Sequence, residues 1–113
     1  MEAITLSQLI QAVSGELAGE FSALEAPIFG VDTDSRTIHP GSLFIPLVGD
    51  RFDGHAYIES ALSAGAVGCI TAKDPVNPRP DRFYVRVQDT EKALGALASW
   101  YKTLFPIPFL AVT

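Results

Sequence analysis

Residues 49–71 read GDRFDGHAYIESALSAGAVGCIT. It opens on a glycine and a mixed-charge loop, Asp50 and Arg51, passes an aromatic, Phe52, and offers Asp53 or Gly54 as a helix cap. Ile58, Ala61 and Leu62 then fall on one helical stripe, and Gly65 supplies the left-handed stop. The run AVGCIT that follows is apolar, short and bounded by glycine, so it reads as a buried strand. A polar loop leading into a helix and then into a buried strand is one unit of an α/β fold.

The same alternation continues on both sides of this stretch. Upstream, HPGSLFIPLVG has a turn at Pro40-Gly41 and an apolar run from Leu43 to Val48, in which Pro46 marks an edge, a strand end or a bulge. A strand is expected around Ile28 to Val31, and GELAGEF reads as a short strand or hairpin arm. The first helix is expected from Leu6 to Val13. Thr5 and Gln8 form a capping box, Ile4 and Leu9 a hydrophobic staple, and Leu6, Leu9, Ile10 and Val13 one face, with Ser14 and Gly15 ending it. Downstream, KDPVNPRPD carries three prolines in nine residues and can only be a surface connection. RFYVRV alternates, placing Phe83, Val85 and Val87 on one face of a half-buried strand. A third helix opens at Asp89 or Thr90 with Leu94, Leu97, Ala98 and Tyr101 as its stripe, and PFLAVT is a last apolar strand. The expected class is α/β, a small sheet flanked by helices.

The 113 residues suit one compact unit with a core of its own. Hydrophobic residues at 48% and charged ones at 19% place the chain among globular proteins. A net charge of -5 argues against a nucleic-acid partner, so any polyanionic ligand must be met by local groups. No apolar window reaches membrane-spanning length and the N-terminus, MEAITLSQ, lacks a basic leader, so no membrane partner and a cytoplasmic setting are expected. Cys69 lies in the apolar run and is read as a small core residue rather than a nucleophile.

Two polar stretches carry candidate chemistry. VDTDSR, residues 31–36, sets two carboxylates at strand spacing after an apolar approach, a pattern that resembles the nucleophile strand of haloacid-dehalogenase-type phosphatases. Arg36 stands where those enzymes carry a threonine, and no second acidic cluster follows. The plainer reading has Asp and Ser bonding local amides while Arg36 pairs with a neighbouring carboxylate. His39 and His55 have no metal-ligand spacing and are read as turn or cap residues. GDRFDGHAY is expected to face the same end of the sheet as VDTDSR, and free amides of its helix with Arg36 or Arg51 would suit a phosphate.

Taken together, Asp34 to Arg36, Pro40 to Phe44, Gly49 to Gly54 and Gly65-Ala66 resemble the D-S-R, P-G-x-L-F, glycine-loop, D-G and G-A elements of the Mur ligases. That family is the ATP-dependent amide-forming enzymes of peptidoglycan assembly. The resemblance covers nearly the whole chain and is tightest over residues 30–71. It implies an N-terminal, UDP-substrate-binding domain over 1–87, then a linking helix and the first strand of a central ATP-binding domain over 88–113. It also implies substrate contacts from Thr33, Ser35, Arg36, Asp50, Arg51 and Phe52: Ser35 on uracil or ribose, residues 50–52 walling the base, and Asp34 with Arg36 bracing the turn. The wording is most like the member joining D-alanyl-D-alanine to UDP-N-acetylmuramoyl-tripeptide, with the member adding the third peptide residue as the alternative. ATP and Mg2+ would serve the parent enzyme, through a G-x-x-G-K-T loop after the A-V-T strand that these 113 residues do not contain. The parent's own central domain would pack on this one. Two departures are Ser42, where an acidic residue often precedes L-F, and I-P-L-V before Gly49, which leaves Arg51 and the helix terminus as candidate pyrophosphate ligands. A freestanding nucleotide- or partner-binding module is the competing reading.

Overall fold

The computed structural model describes residues 2–104, a five-stranded sheet with helices on both faces. Strands β1 (Ile4–Thr5), β2 (Glu16–Ala18), β3 (Pro27–Ile28), β4 (Gly30–Asp32), β5 (Ser42–Phe44), β6 (Gly68–Thr71) and β7 (Phe83–Arg86) alternate with helices α1 (Leu6–Val13), α2 (Ile58–Ser63) and α3 (Thr90–Leu104). The main sheet has the order β2-β7-β6-β5-β4; β4 to β7 run parallel and β2 is antiparallel on β7. β1 and β3 pair separately, with Ile4 opposite Ile28.

Local chemistry explains the start. Thr5 Oγ1 accepts the Gln8 amide at 3.1 Å and Gln8 Oε1 accepts the Thr5 amide at 2.9 Å, closing the capping box. Ser14 ends α1 with φ 53°, a left-handed residue whose amide returns to the Gln11 carbonyl. Helix α2 stops at Gly65, where φ is +123°.

Period-two alternation in the central strands builds two cores. Leu43, Ile45, Ile70, Phe83 and Val85 point to the face covered by α1 and α3, where they meet Leu6, Leu9, Ala93 and Leu97. Phe44, Cys69 and Tyr84 point to the other face, against Ala61, Leu62 and Ala66 of α2 and its stop. Each such buried Leu or Ile contributes about 1.5–3 kcal/mol by leaving water.

Several expectations change in detail. The strand expected at Ile28 to Val31 is two strands, because Phe29 donates its amide to the Gly41 carbonyl and the chain passes there from the small sheet to the large one. β7 is buried on both faces rather than one, since α2 covers Tyr84. On α3, Ala93 is buried and Ala98 is exposed, so the stripe turns toward α1. Pro46 falls just past the end of β5, which is an interior strand. The PFLAVT strand lies outside the described residues. Helix α3, assigned by sequence to the segment 88–113, buries Ala93 and Leu97 in the same core as α1. No helix among the described residues is long and apolar enough to cross a membrane.

Candidate functional site

β4 and β5 are parallel neighbours, so the chain leaves both at the same end of the sheet. VDTDSR begins on the last two residues of β4 and runs on past its end, and the 49–57 segment follows β5. This is where open parallel sheets receive ligands. The two loops enclose a cavity of about 450 Å³ lined by Thr33, Asp34, Ser35, Arg36, Phe44, Phe52 and Tyr57.

One wall is a polar turn. Asp34 caps a single 3-10 turn, Ser35–Thr37: its Oδ1 accepts the Arg36 amide at 2.9 Å and Arg36 Nε at 3.0 Å, and its Oδ2 accepts Arg36 Nη2 at 2.8 Å. The Arg36 guanidinium, and next its amide, hold the Asp34 carboxyl down to about 2. With the Arg36 side chain 85% exposed, this pair shapes the turn more than it stabilises the fold. Asp32, at the end of β4, accepts the His39 amide at 2.9 Å and His39 Nδ1 at 3.1 Å. Burial raises its pKa, but the His39 amide bond and the His39 ring, with the Ser42 side chain close by, together carry it below the usual value. Both carboxylates of the D-x-D pair are thus committed to local partners. No group of three or more His, Cys, Asp or Glu that could hold a metal is gathered among the described residues.

The facing wall is aromatic. Phe52 and Tyr57 stack with ring centroids 5.5 Å apart and planes 16° from parallel, and both remain about half exposed. Val48 bridges Asp53 and the Gly49 amide reaches the Phe52 carbonyl at 2.7 Å, so Asp50 and Arg51 form the exposed tip of a small hairpin. The structure therefore brings Thr33, Ser35, Arg36 and Phe52 around one cavity and leaves Asp50 and Arg51, at the hairpin tip, out of its lining.

The amides at Gly54, His55 and Ala56 are not free. The turn Gly54–Tyr57 preceding α2 is 3-10, and the Gly54 amide donates to the Leu47 carbonyl at 2.8 Å, His55 to Asp53 Oδ1 at 2.9 Å and Ala56 to the Asp53 carbonyl at 3.2 Å. The three amides that open this turn are thus already bonded, where the sequence reading expected free ones. Glycine is required at 54 because a Cβ there would lie 2.9 Å from both Leu47 N and Leu47 O.

Tyr57 and Phe44 were not singled out from sequence. Phe44 reads as a strand core residue, and it is one, 1% exposed, with the cavity above it. Tyr57 follows Asp53-Gly54 by three residues, and a turn-then-helix reading of the cap would have brought its ring back over Phe52.

A larger open groove, about 1000 Å³, lies between the C-terminal end of α1 and the N-terminal end of α3, lined in part by Ser14, Glu16, Arg86, Asp89 and Lys92. It has mixed charge and no aromatic in its lining, so nothing in it selects a flat ligand. The smaller cavity, with a stacking face opposite hydroxyls, is the better-built site. Cys69 is buried in the second core, where burial pushes its thiol up to about 12.

The model of the family described as "Mur ligase family, catalytic domain" matches residues 27–102. The UDP-N-acetylmuramoyl-tripeptide--D-alanyl-D-alanine ligase of Escherichia coli (strain K12) is 38% identical over 113 residues, all of this chain and 24% of the relative. The UDP-N-acetylmuramoyl-L-alanyl-D-glutamate--2,6-diaminopimelate ligase of Bacteroides thetaiotaomicron is 34% identical over 96 residues, 85% of this chain and 20% of the relative. A crystal structure of MurF from Acinetobacter baumannii superposes with a TM-score of 0.80 at 29% identity, covering 92% of this chain and 22% of that one. The chain thus spans about a quarter or less of the length of the relatives it matches.

Proposed function

The chain belongs to the Mur ligase family, and from that premise we propose that it holds the uridine end of UDP-N-acetylmuramoyl-tripeptide for a ligase that adds D-alanyl-D-alanine. The observation that carries this reading is the cavity itself: loops from two adjacent parallel strands bring a stacked Phe52–Tyr57 pair and the hydroxyl-bearing Thr33 and Ser35 to one lining. A pyrimidine needs a π-face and a few hydrogen-bond partners, and both are supplied here. Ser35 bonds the base or ribose, Phe52 and Tyr57 wall the ring, and the Asp34–Arg36 pair holds the turn in shape. Asp50 and Arg51, at the hairpin tip, meet the part of the ligand that leaves the cavity, where Arg51 suits a phosphate.

ATP and Mg2+ are required by the parent ligase on this reading, and neither is assigned to the described residues. They gather no metal-holding cluster, and the amides at Gly54, His55 and Ala56 are spent. No step of phosphoryl or acyl transfer is therefore assigned to them. The parent's central domain and D-alanyl-D-alanine would meet the far end of the substrate. Similarity to a diaminopimelate ligase supports a second reading, the same role in the enzyme adding the third residue.

The test is a titration of UDP into the chain, followed by amide NMR. Shifts confined to residues 33–36 and 50–57 are expected; shifts in the α1–α3 groove instead, or none at millimolar UDP, overturn the reading. In the full-length ligase, Ser35→Ala removes one neutral hydrogen bond, about 0.5–1.5 kcal/mol, and should raise KM for the UDP-substrate by up to roughly tenfold with kcat unchanged. A collapsed kcat at unchanged KM would place Ser35 in the chemistry. Product analysis with D-alanyl-D-alanine against diaminopimelate separates the two readings.

A further inference from the structure

Phe52 and Tyr57 flank the turn Asp53–Gly54–His55, and the structure shows how that turn is tied to the rest of the sheet. Gly54 is bonded to Leu47, just beyond β5. The second tie is the His55 ring, only 6% exposed. The Ala72 amide, one residue past the end of β6, donates to His55 Nε2 at 2.9 Å. A nitrogen that accepts from an N–H must present its lone pair, so the proton of the neutral ring sits on Nδ1. Nδ1 lies 2.7 Å from Asp53 Oδ1 and donates to it. The other oxygen, Asp53 Oδ2, accepts Lys73 Nζ at 2.9 Å, so Asp53 and His55 together clamp residues 72 and 73.

Resting on the nucleotide-site reading above, we propose that His55, held as the Nδ1–H tautomer between Asp53 and the Ala72 amide, is the positioning residue that fixes the Phe52–Tyr57 wall for the base. The ring touches no ligand. It spans the gap between the segment after β5 and the segment after β6, and so ties the aromatic wall to a third strand rather than leaving it to pivot on Gly54 alone. Its two nitrogens have opposite roles, one donor and one acceptor, and this polarity is what the site uses.

Ring nitrogen NMR on the unaltered chain tests the tautomer directly: a protonated Nδ1 and an unprotonated Nε2 at neutral pH are expected. The opposite tautomer would overturn the proposal. Two variants test the positioning. His55→Phe keeps the ring volume but orphans the Ala72 amide, and should abolish the Phe52–Tyr57 ring-to-ring contacts seen by NMR and weaken UDP by about tenfold. His55→Gln keeps an acceptor near the position of Nε2 and should restore most of both. Persistent ring contacts in His55→Phe, or equal behaviour of the two variants, would refute it. If the unaltered chain fails to bind UDP, the nucleotide reading falls. The tautomer and the ring contacts still decide whether His55 positions the wall.

Discussion

Replacing glycine by alanine at two places should move stability in opposite directions, and the structure gives both magnitudes. At Gly54 the new Cβ would lie 2.9 Å from Leu47 N and O and 3.0 Å from Pro46 Cα, all backbone atoms held by the end of β5. None of these can swing aside as a side chain would. Overpacking of this kind costs about 1–3 kcal/mol, and displacing the Gly54 to Leu47 hydrogen bond adds about 0.5–1.5 kcal/mol. Gly54→Ala should therefore lose about 1.5–4.5 kcal/mol, which for a domain of this size lowers Tm by about 6–36 °C. At Gly95, in the exposed middle of α3, a Cβ meets nothing within 4 Å. There the methyl restricts the unfolded chain and improves helix propensity by about 0.8–1 kcal/mol, so Gly95→Ala should raise Tm by about 4–8 °C. Thermal unfolding by circular dichroism, with both variants beside the parent, is sufficient. A Gly54→Ala protein melting with the parent, or a Gly95→Ala protein melting well below it, would show that the close approach at Leu47 or the open face of α3 has been misread.

Cys69, fully buried with its thiol pushed up to about 12, should resist a thiol reagent in the native state and react at the rate of unfolding; prompt labelling of the folded chain would contradict its place in the second core. The Asp53 carboxyl is held far below its usual value of 3.8, first by Lys73 and then by His55. A depressed folded pKa adds stability that is present above the unfolded value and lost as pH falls, so Asp53→Asn should be the less stable protein at pH 7, with the gap closing below about pH 4. A gap that stays constant from pH 7 to 2 would remove Lys73 and His55 as the cause. Magnesium should leave Tm unchanged, because Asp32 and Asp34 already have partners. A large magnesium-dependent rise in Tm would revive the phosphatase-like reading.

Much of this architecture is legible from residues that act on their immediate neighbours. Thr5 and Gln8 declare a helix start because the bonds they make are three residues apart. Gly65 and the proline-rich 73–81 segment declare interruptions for equally local reasons. What escapes is set across the sheet. Nothing near Phe29 announces that its amide is taken by Gly41, so the break between β3 and β4 is invisible until the turn at Pro40 is in place. Tyr84 alternates as a solvent-facing residue and is buried because α2, well upstream in the chain, covers it. The site divides in the same way. The Asp34–Arg36 turn was readable from VDTDSR, whereas Tyr57 joins the wall because Asp53 starts a 3-10 turn, and the helix amides are lost to Leu47 and Asp53.

The pairing of Gly30 with Ser42 and of Asp32 with Phe44 also works as a gauge. Both loops depart from one level, so the gap between hydroxyls and rings is set by strand register rather than by loop length. Slipping β4 by two residues, the smallest step that keeps its faces correct, would displace one wall by about 6.6 Å, at about 3.3 Å per residue. Insertions at the tip near Asp50 and Arg51 would leave that gap untouched. The hairpin can therefore vary in reach while the slot keeps its width.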